Sequence, residues 1–447
     1  MKDMPQFKIK SLLFLLLLFP YLQSYSQDPA LKPIPEVWDL ASCLEYAKSN
    51  NLQLRGLRLS KKSAEQDALL AKSAVLPNLY ASASQSFNHY NLNPNSSSPA
   101  VGVTGSYGVT SSWTLYKGGY LKQDIKQKDL SVQSANFSIL ESENDITLQI
   151  TQAYLSILLD KESIVYNQEL VKTSEAQLKQ TQDQFRVGSV AKKDVAQFQA
   201  QLATDQYNLI ASQNAERQDK VTLKQLLQLP DSKSFDVVKP DTVINDKKLE
   251  PLDSVQKYAL LNRPEVKNAA LGLQIADLNL DKAKSGYLPT LSMNANVGTS
   301  YANGTVYNAF RQFDNNFSQQ AGITLSIPIF TQRQNKTNVA KAKIDRMQAD
   351  LTLENTKTTL ALTTEKAMIT AQNAIDQLQS AVEQLKYNQE VYRIANQELK
   401  IGAANLVAFY QQRNLYVQAL QAYIQAKYNA ALASRIYEFY IGVPIKL

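Results

Sequence analysis

Four stretches of this 447-residue chain contain neither glycine nor proline: 120–187, 189–229, 329–401 and 403–441. Their lengths of 68, 41, 73 and 39 residues, and their wealth of Ala, Leu, Gln, Lys and Glu, predict helices. At 1.5 Å per residue the longest would reach roughly 100 Å. No single compact core can contain such rods. One glycine divides each pair, Gly188 and Gly402, as a residue that ends a helix should. Ile150, Ile157, Ile164, Val171, Leu178 and Phe185 repeat every seven residues, and Ala371, Leu378, Leu385, Tyr392 and Leu399 answer them 214 positions on. That spacing predicts coiled-coil packing against the antiparallel helix across the turn. A soluble hairpin would carry the same stripe, so the stripe alone does not choose a function.

The correspondence at 214 is part of a larger duplication. AKSAVLPNLYASAS (71–84) and AKSGYLPTLSMNAN (283–296) are identical at seven of fourteen positions, with an offset of 212. Phe185-Arg186-Val187-Gly188 is echoed by Leu399-Lys400-Ile401-Gly402 at 214. The slip of two places a surface loop in the dissimilar stretch 91–106 and its counterpart 302–318, because loops tolerate insertions. The expected organisation is a first repeat over 27–230, a linker over 231–251 and a second repeat over 252–447.

After Pro77 and Pro289 the periodicity changes from helical to alternating. Leu79, Ala81, Ala83 and Phe87 alternate with Tyr80, Ser82, Ser84 and Ser86. Val109, Trp113 and Leu115 face away from Thr110, Ser112 and Thr114. In the second repeat Leu291, Met293, Ala295, Val297 and Tyr301 oppose Ser292, Asn294 and Asn296, and Ile323, Leu325, Ile327 and Ile329 oppose Thr324 and Ser326. Period two is a strand signal. Runs of about 9 to 12 residues match the length a tilted strand needs to cross a bilayer. Aliphatics opposite Ser, Thr and Asn suit a wall with lipid on one side and water on the other. Aromatics near the strand ends (Tyr80, Tyr90, Trp113, Tyr116, Tyr301, Phe330) suit the headgroup level.

Lys2, Lys8 and Lys10, an apolar run from Leu12 to Leu22, and Ser24 and Ser26 predict a signal peptide over 1–26. The formal charge of +7 falls to +5 without the leader's three Lys and one Asp, too diffuse for a nucleic-acid partner. Cys43 is the only cysteine and His89 the only histidine. Intrachain disulfides, His-based triads and His-rich metal sites are thereby excluded. The expectation is no catalytic residue, no metal, no cofactor and no enzyme.

The predicted fold class is mainly α with membrane β, built from a duplicated strand-strand-long-helix-hairpin unit. Four strands cannot close a barrel, and bare backbone edges in hydrocarbon cost several kcal/mol per group. Subunits must therefore share one barrel, with two supplying eight strands or three supplying twelve.

The order of elements resembles the TolC-like outer-membrane efflux proteins. The matching features are the leader, Leu40-xx-Cys43-Leu44-xx-Ala47-xx-Asn50, a helix ending in Leu76-Pro77, two strands, a long helix, and the turn Phe185-Arg186-Val187-Gly188 followed by Asp194-Val195, after which the series repeats. The resemblance spans nearly all of 38–444. It implies a homotrimer with a 12-strand β-barrel continuous with a 12-helix α-barrel in the periplasm. The function it implies is that of a passive exit channel in a tripartite efflux or secretion system, seated in outer-membrane lipid and opened by a periplasmic adaptor and an inner-membrane pump. It would place adaptor contacts at Val187, Gly188, Ser189, Ile401, Gly402 and Ala403. Of the polar ties that close the family's entrance, Asp194 matches one, while Leu399, Ala404, Ala408 and Gln411 hold the other places. Closure would then be apolar, through Leu399, Leu406 and Phe409. Asp194 also suits a plainer role, as a first-turn carboxylate on the helix dipole. The alternative is an exported soluble coiled-coil scaffold or adaptor, which would use the same helices with a water-facing sheet.

Overall fold

The computed structural model describes residues 36–89, 101–229, 235–240, 248–401, 403 and 406–445. The expected leader, Tyr90, Gly402, Ala404 and parts of the linker (231–234 and 241–247) lie outside them.

Each repeat begins with two short helices. In the first they are α1 (Leu40–Asn50) and α2 (Leu52–Ser73). Asp39 caps α1 by accepting from Ser42 N–H at 2.8 Å, and Asn51 caps α2 through Gln53 and Leu54 N–H. Strands β2 (Tyr80–His89) and β3 (Val101–Lys117) follow, then α3 (Tyr120–Arg186) and α4 (Lys192–Leu227). The second repeat runs α5 (Leu252–Asn262), α6 (Pro264–Lys284), β5 (Thr290–Ala302), a short α7 (Ala309–Asn315), β6 (Ser318–Ser326), α8 (Gln334–Lys400) and α9 (Leu406–Tyr440). Both α3 and α8 have 67 residues, so the two rods are equal in length.

Each rod is flanked by two shorter helices end to end. Along α3, α2 is held by Lys72–Asp129 (2.9 Å) and Arg58–Glu143 (3.1 Å), and α4 by Asn167–Ser212 (2.7 Å). In the second repeat Arg346–Asp277 (2.7 Å) ties α8 to α6. The seven-residue stripe is the buried seam: Ile150, Ile157 and Ala371 are fully enclosed, and burial declines toward Phe185, which is exposed. The two repeats join through Lys282–Asp124 (2.6 Å) between α6 and α3, and through Glu162 of α3, which accepts from Lys427 (2.8 Å) and Tyr428 (2.7 Å) of α9. Burial pushes the Glu162 carboxyl up, but these bonds and the charges of Lys427 and Lys239 bring it below its ordinary value.

The described part of the linker has a definite seat. Its strand β4 (Asp236–Val237) pairs in parallel with β1 (Val37–Trp38). Tyr154 donates to Val238 O at 2.7 Å and Lys161 pairs with Asp236 at 2.7 Å, which pins the segment across the middle of α3.

The four long strands form one antiparallel sheet in the order β2-β3-β5-β6. Its register aligns the alternating faces. Ala81 lies opposite Val109, Val109 opposite Val297, Trp113 opposite Met293, Met293 opposite Ile323, and Leu291 opposite Leu325. The reverse face stacks Thr110, Asn296 and Gln320, then Thr114, Ser292 and Thr324. One side of the sheet is thus mainly apolar across all four strands, with Gln85, Ser111, Thr299 and Gln319 among its polar members, and the other carries Ser, Thr, Asn and Gly.

Three details differ from the sequence reading. Strand β3 has 17 residues rather than 9 to 12, and 101–106 are strand, not loop. A bulge between Thr114 and Tyr116 sets Tyr116, not Leu115, opposite Leu291; alternation cannot reveal an inserted residue. The stretch 302–318 contains α7, whose seven residues are too few to show a helical period. Among the described residues no helix is long and apolar enough to cross a membrane.

Candidate channel entrance

Both rods end far from the sheet, at Arg186 and Lys400. In the first repeat Gly188 has φ +76°, Gly188 N–H donates to Phe185 O (3.0 Å) and Ser189 N–H donates to Gln184 O (2.9 Å). This is a Schellman motif, in which only glycine takes the left-handed position without strain. The second repeat repeats the outer bond, with Ala403 N–H on Glu398 O at 2.8 Å. The turns expose apolar side chains: Val187 is 80 % accessible and Ile401 79 %. Between the two tips lies a groove of about 640 Å³ lined by Gln177, Gln184, Ser189, Leu399, Lys400 and Leu406.

Asp194 occupies the third position of α4 and accepts from Ala191 N–H at 3.1 Å. Its carboxylate satisfies a free donor at the helix start, which is the plainer of its two expected roles. Leu399, Leu406 and Phe409 do come together, but inside the wall of the protomer. Phe409 is fully buried, with ring centroids 6.4 Å from Phe198, 5.9 Å from Tyr392 and 5.5 Å from Tyr410. Leu399 and Leu406 pack half-buried against that cluster. A side chain enclosed by its own protomer cannot project into a lumen. Phe409 therefore acts by holding α9 onto α4 and α8.

One turn beyond Phe409 the structure reveals a polar knot that composition and spacing did not disclose. Arg413 of α9 donates to Asp205 of α4 at 2.5 Å and to Ser174 of α3 at 3.1 Å; Ser174 also donates to Asp205, and Gln201 donates to Asp205 Oδ1 at 3.1 Å. Arg413 is 1 % exposed by side chain and Asp205 3 %. Ion pairs this dry need good geometry and further hydrogen bonds to offset desolvation, and breaking one by removing a single partner is costly. The repeat offers a faint clue: 214 positions away, Asp205 corresponds to Ala419 and Arg413 to Gln199. The charges appear where the repeat does not keep them. On rods rich in solvated Lys, Asp and Glu, nothing in the sequence marks these two as enclosed.

The descriptive family model "Outer membrane efflux protein" matches residues 43–228 and again 255–441. The chain belongs to that family. It is 24 % identical over 332 residues to the outer membrane protein TolC of Vibrio cholerae, covering 71 % of each chain. To the toluene efflux pump outer membrane protein TtgC of Pseudomonas putida it is 23 % identical over 408 residues, covering 90 % of this chain and 80 % of the relative. Among solved structures it superposes on CusC with a TM-score of 0.80 at 17 % identity, covering 90 % of this chain and 91 % of that one. With CmeC of Campylobacter jejuni the TM-score is 0.78 at 18 % identity, covering 90 % and 86 %. The protein is accordingly an outer-membrane efflux channel protein with a periplasmic helical barrel, and not an enzyme. The reading as a soluble scaffold is set aside, because the family is one of outer-membrane efflux proteins.

Proposed function

We propose that three copies of this chain assemble into one passive exit duct, a 12-strand β-barrel continuous with a 12-helix α-barrel, serving a tripartite efflux or secretion system. The observation that carries this is the open four-stranded sheet, apolar on one face and polar on the other, mounted on two 67-residue rods. Strands β2 and β6 have no neighbour on their outer sides among the described residues. In hydrocarbon those bare groups would cost several kcal/mol each. Because β2 and β6 run in opposite directions, the β6 of one copy can pair antiparallel with the β2 of the next while keeping the apolar face outward. The family resemblance supports three copies over two.

The Ser-, Thr- and Asn-rich face would then line a wet lumen with no dedicated pocket, leaving selectivity to an inner-membrane pump. A periplasmic adaptor would dock at the hairpin tips, on Val187, Gly188, Ser189, Ile401, Gly402 and Ala403, where exposed apolar turns border the groove between the rods. Entrance closure would involve Asp194, Leu399 and Leu406, with the buried Phe409 and the Arg413–Asp205–Ser174 knot fixing how α9 sits on the other helices. The repeat and linker boundaries expected from the sequence (27–230, 231–251, 252–447) serve this scheme as two staves and a strap.

The test is to purify the chain from membranes in detergent and measure its mass by light scattering and its conductance in a planar bilayer. The expected outcome is a trimer that inserts and conducts. A folded monomer soluble in plain buffer would overturn the reading.

A further inference from the structure

The two strand hairpins are joined by segments of different composition. The first is joined through 90–100, YNLNPNSSSPA, whose single aromatic is Tyr90. The second is joined through 303–317, NGTVYNAFRQFDNNF, with one aromatic in about every four residues and charges only at Arg311 and Asp314. Within it, Asn308 caps α7 by accepting from Arg311 N–H at 2.9 Å. Strand β6 pairs with β5 only as far as Gly298, and the segment takes over its work beyond that point. Gln312, itself buried, accepts from Ala302 N–H at 2.8 Å and donates to Ala302 O at 2.9 Å, and Asn316 donates to Ser300 O at 2.7 Å. The backbone edge that β6 leaves bare is thereby satisfied, as hydrocarbon and its boundary require.

The side of the sheet on which α7 lies is also fixed. Phe313 sits 5.6 Å from the Tyr107 ring and 5.4 Å from the Tyr301 ring, and Thr299 donates to Phe313 O at 2.7 Å. Tyr107, Thr299 and Tyr301 fall in the same alternating register as Val109, Val297, Trp113 and Met293. The helix is therefore seated on the apolar face, not on the polar one. A tilted strand crosses the hydrocarbon in about 9–11 residues. Counted from Leu291, at the end nearer the rods, that distance reaches the far boundary near Thr299 to Tyr301. There the connection turns outward Val306 (98 % accessible), Phe310 (85 %), Tyr307 and Phe317. At the opposite boundary Ile329, Phe330 and Tyr287 are similarly exposed.

We infer that the β5–β6 connection, with α7 at its centre, is a membrane-interface anchor: it lies against the lipid side of the barrel and sets Val306, Tyr307 and Phe310 into the boundary between acyl chains and headgroups of the outer leaflet. The inference rests on the reading of the apolar sheet face as lipid-facing. Large apolar and amphipathic side chains with little net charge suit that depth. The sequence of the first connection carries one aromatic against four in the second, so the second is the anchor each copy of the chain would supply. Three copies would place three around the rim.

The test uses the full-length assembled protein in phospholipid vesicles carrying single nitroxide labels at Phe310→Cys, Leu325→Cys and Val187→Cys. Cys43 is fully buried and stays in place. Collisions with oxygen report lipid, and collisions with a water-soluble nickel chelate report solvent. The expected ratio of oxygen to chelate accessibility at 310 is several-fold above that at 187 and close to that at 325. If 310 matches 187 while 325 remains lipid-like, the connection stands in water or in the lumen and the anchor is refuted. If 325 also reads as water, the lipid-facing assignment of the sheet fails and the anchor with it.

Discussion

The two repeats share a backbone and disagree about side chains at the places where their surroundings differ. Strand passes to rod through two consecutive left-handed residues in both. In the first repeat these are Gly118 (φ +57°) and Gly119 (φ +81°); in the second they are Gln332 (φ +48°) and Arg333 (φ +68°). The turn is dictated by topology, since each stave must reverse from a membrane strand into a helix. Glycine is required in the first repeat for a further reason: a Cβ on Gly118 would lie 2.7 Å from Ser285 O. The second repeat holds non-glycine residues at the same two positions.

The rods differ likewise. Asp160, Glu216 and Asp219 in the first repeat correspond to Ala374, Ala430 and Ala433 in the second, all three of which are buried. The acidic trio lies beside the linker, where Lys161 and Lys220 both reach Asp236. The alanine trio instead receives α5, through Val255 and Ala259. Duplication copied a stave, and divergence followed what each stave touches.

The sharpest way to break that comparison is at the knot that only one combination of helices possesses. Arg413→Met should destabilise the protein by about 3–5 kcal/mol, because Asp205 is left charged and enclosed. The equivalent Gln199→Met, at an exposed site, should leave the unfolding midpoint nearly unchanged. Denaturant melts of both variants check this, and equal effects would remove the asymmetry. Next in size is the sheet. Ala321→Arg on the apolar face, opposite Ala295 and midway along the strand span, should cost about 2–4 kcal/mol near the bilayer midplane and reduce outer-membrane assembly, whereas Gln320→Arg on the other face should assemble normally. Fractionation and immunoblotting separate the two.

A smaller effect is expected at the turns. Gly118→Ala should be destabilising through the left-handed φ and the contact with Ser285, and Arg333→Gly should stabilise by about 1 kcal/mol by relieving a conformation that costs side-chain-bearing residues 1–2. Opposite signs in thermal melts are the expected result. At the tip, Gly188→Val should lower export while trimers persist, as read by cargo efflux and native gels; loss of the trimer would leave the glycine a purely structural role.

One further effect depends on pH. Burial, aided by the nearby charges of Asp219 and Glu216, pushes Asp160 up to about 7, and burial also raises Asp219. Below about pH 4 both folded and unfolded forms are protonated and nothing is lost. Between about 4 and 7 the unfolded chain ionises first, so stability falls as pH rises, and the full deficit is present above about 7. Asp160→Asn should therefore raise the melting temperature at pH 8 and leave it unchanged at pH 4.

The parts of the fold legible in the sequence are those governed by short-range rules. Gly188, Pro77 and Pro289 punctuate the chain, the gaps between such residues gave helices within a few residues of their observed ends, and alternation sorted Leu291, Met293 and Val297 from Ser292, Asn294 and Asn296. The entrance was legible only in outline. The turn glycine was placed correctly at a helix end, but Phe409 is enclosed by its own protomer, and Ser174, Asp205 and Arg413 drew no attention. The latter two are 208 residues apart, and a charged residue on a long helix looks the same whether solvent or another helix faces it.

By itself, then, the sequence determined helix lengths, reversals and the two-sidedness of the sheet, because each depends on the φ/ψ preferences and polarity of neighbours in the chain. The tertiary structure alone decided that β3 and β5 form the seam between repeats, that α7 caps the edge of β5 on its apolar side, and that Arg413 closes on Asp205. Those choices turn on which of many similar surfaces meet, and periodicity within one segment carries no information about the identity of its partner.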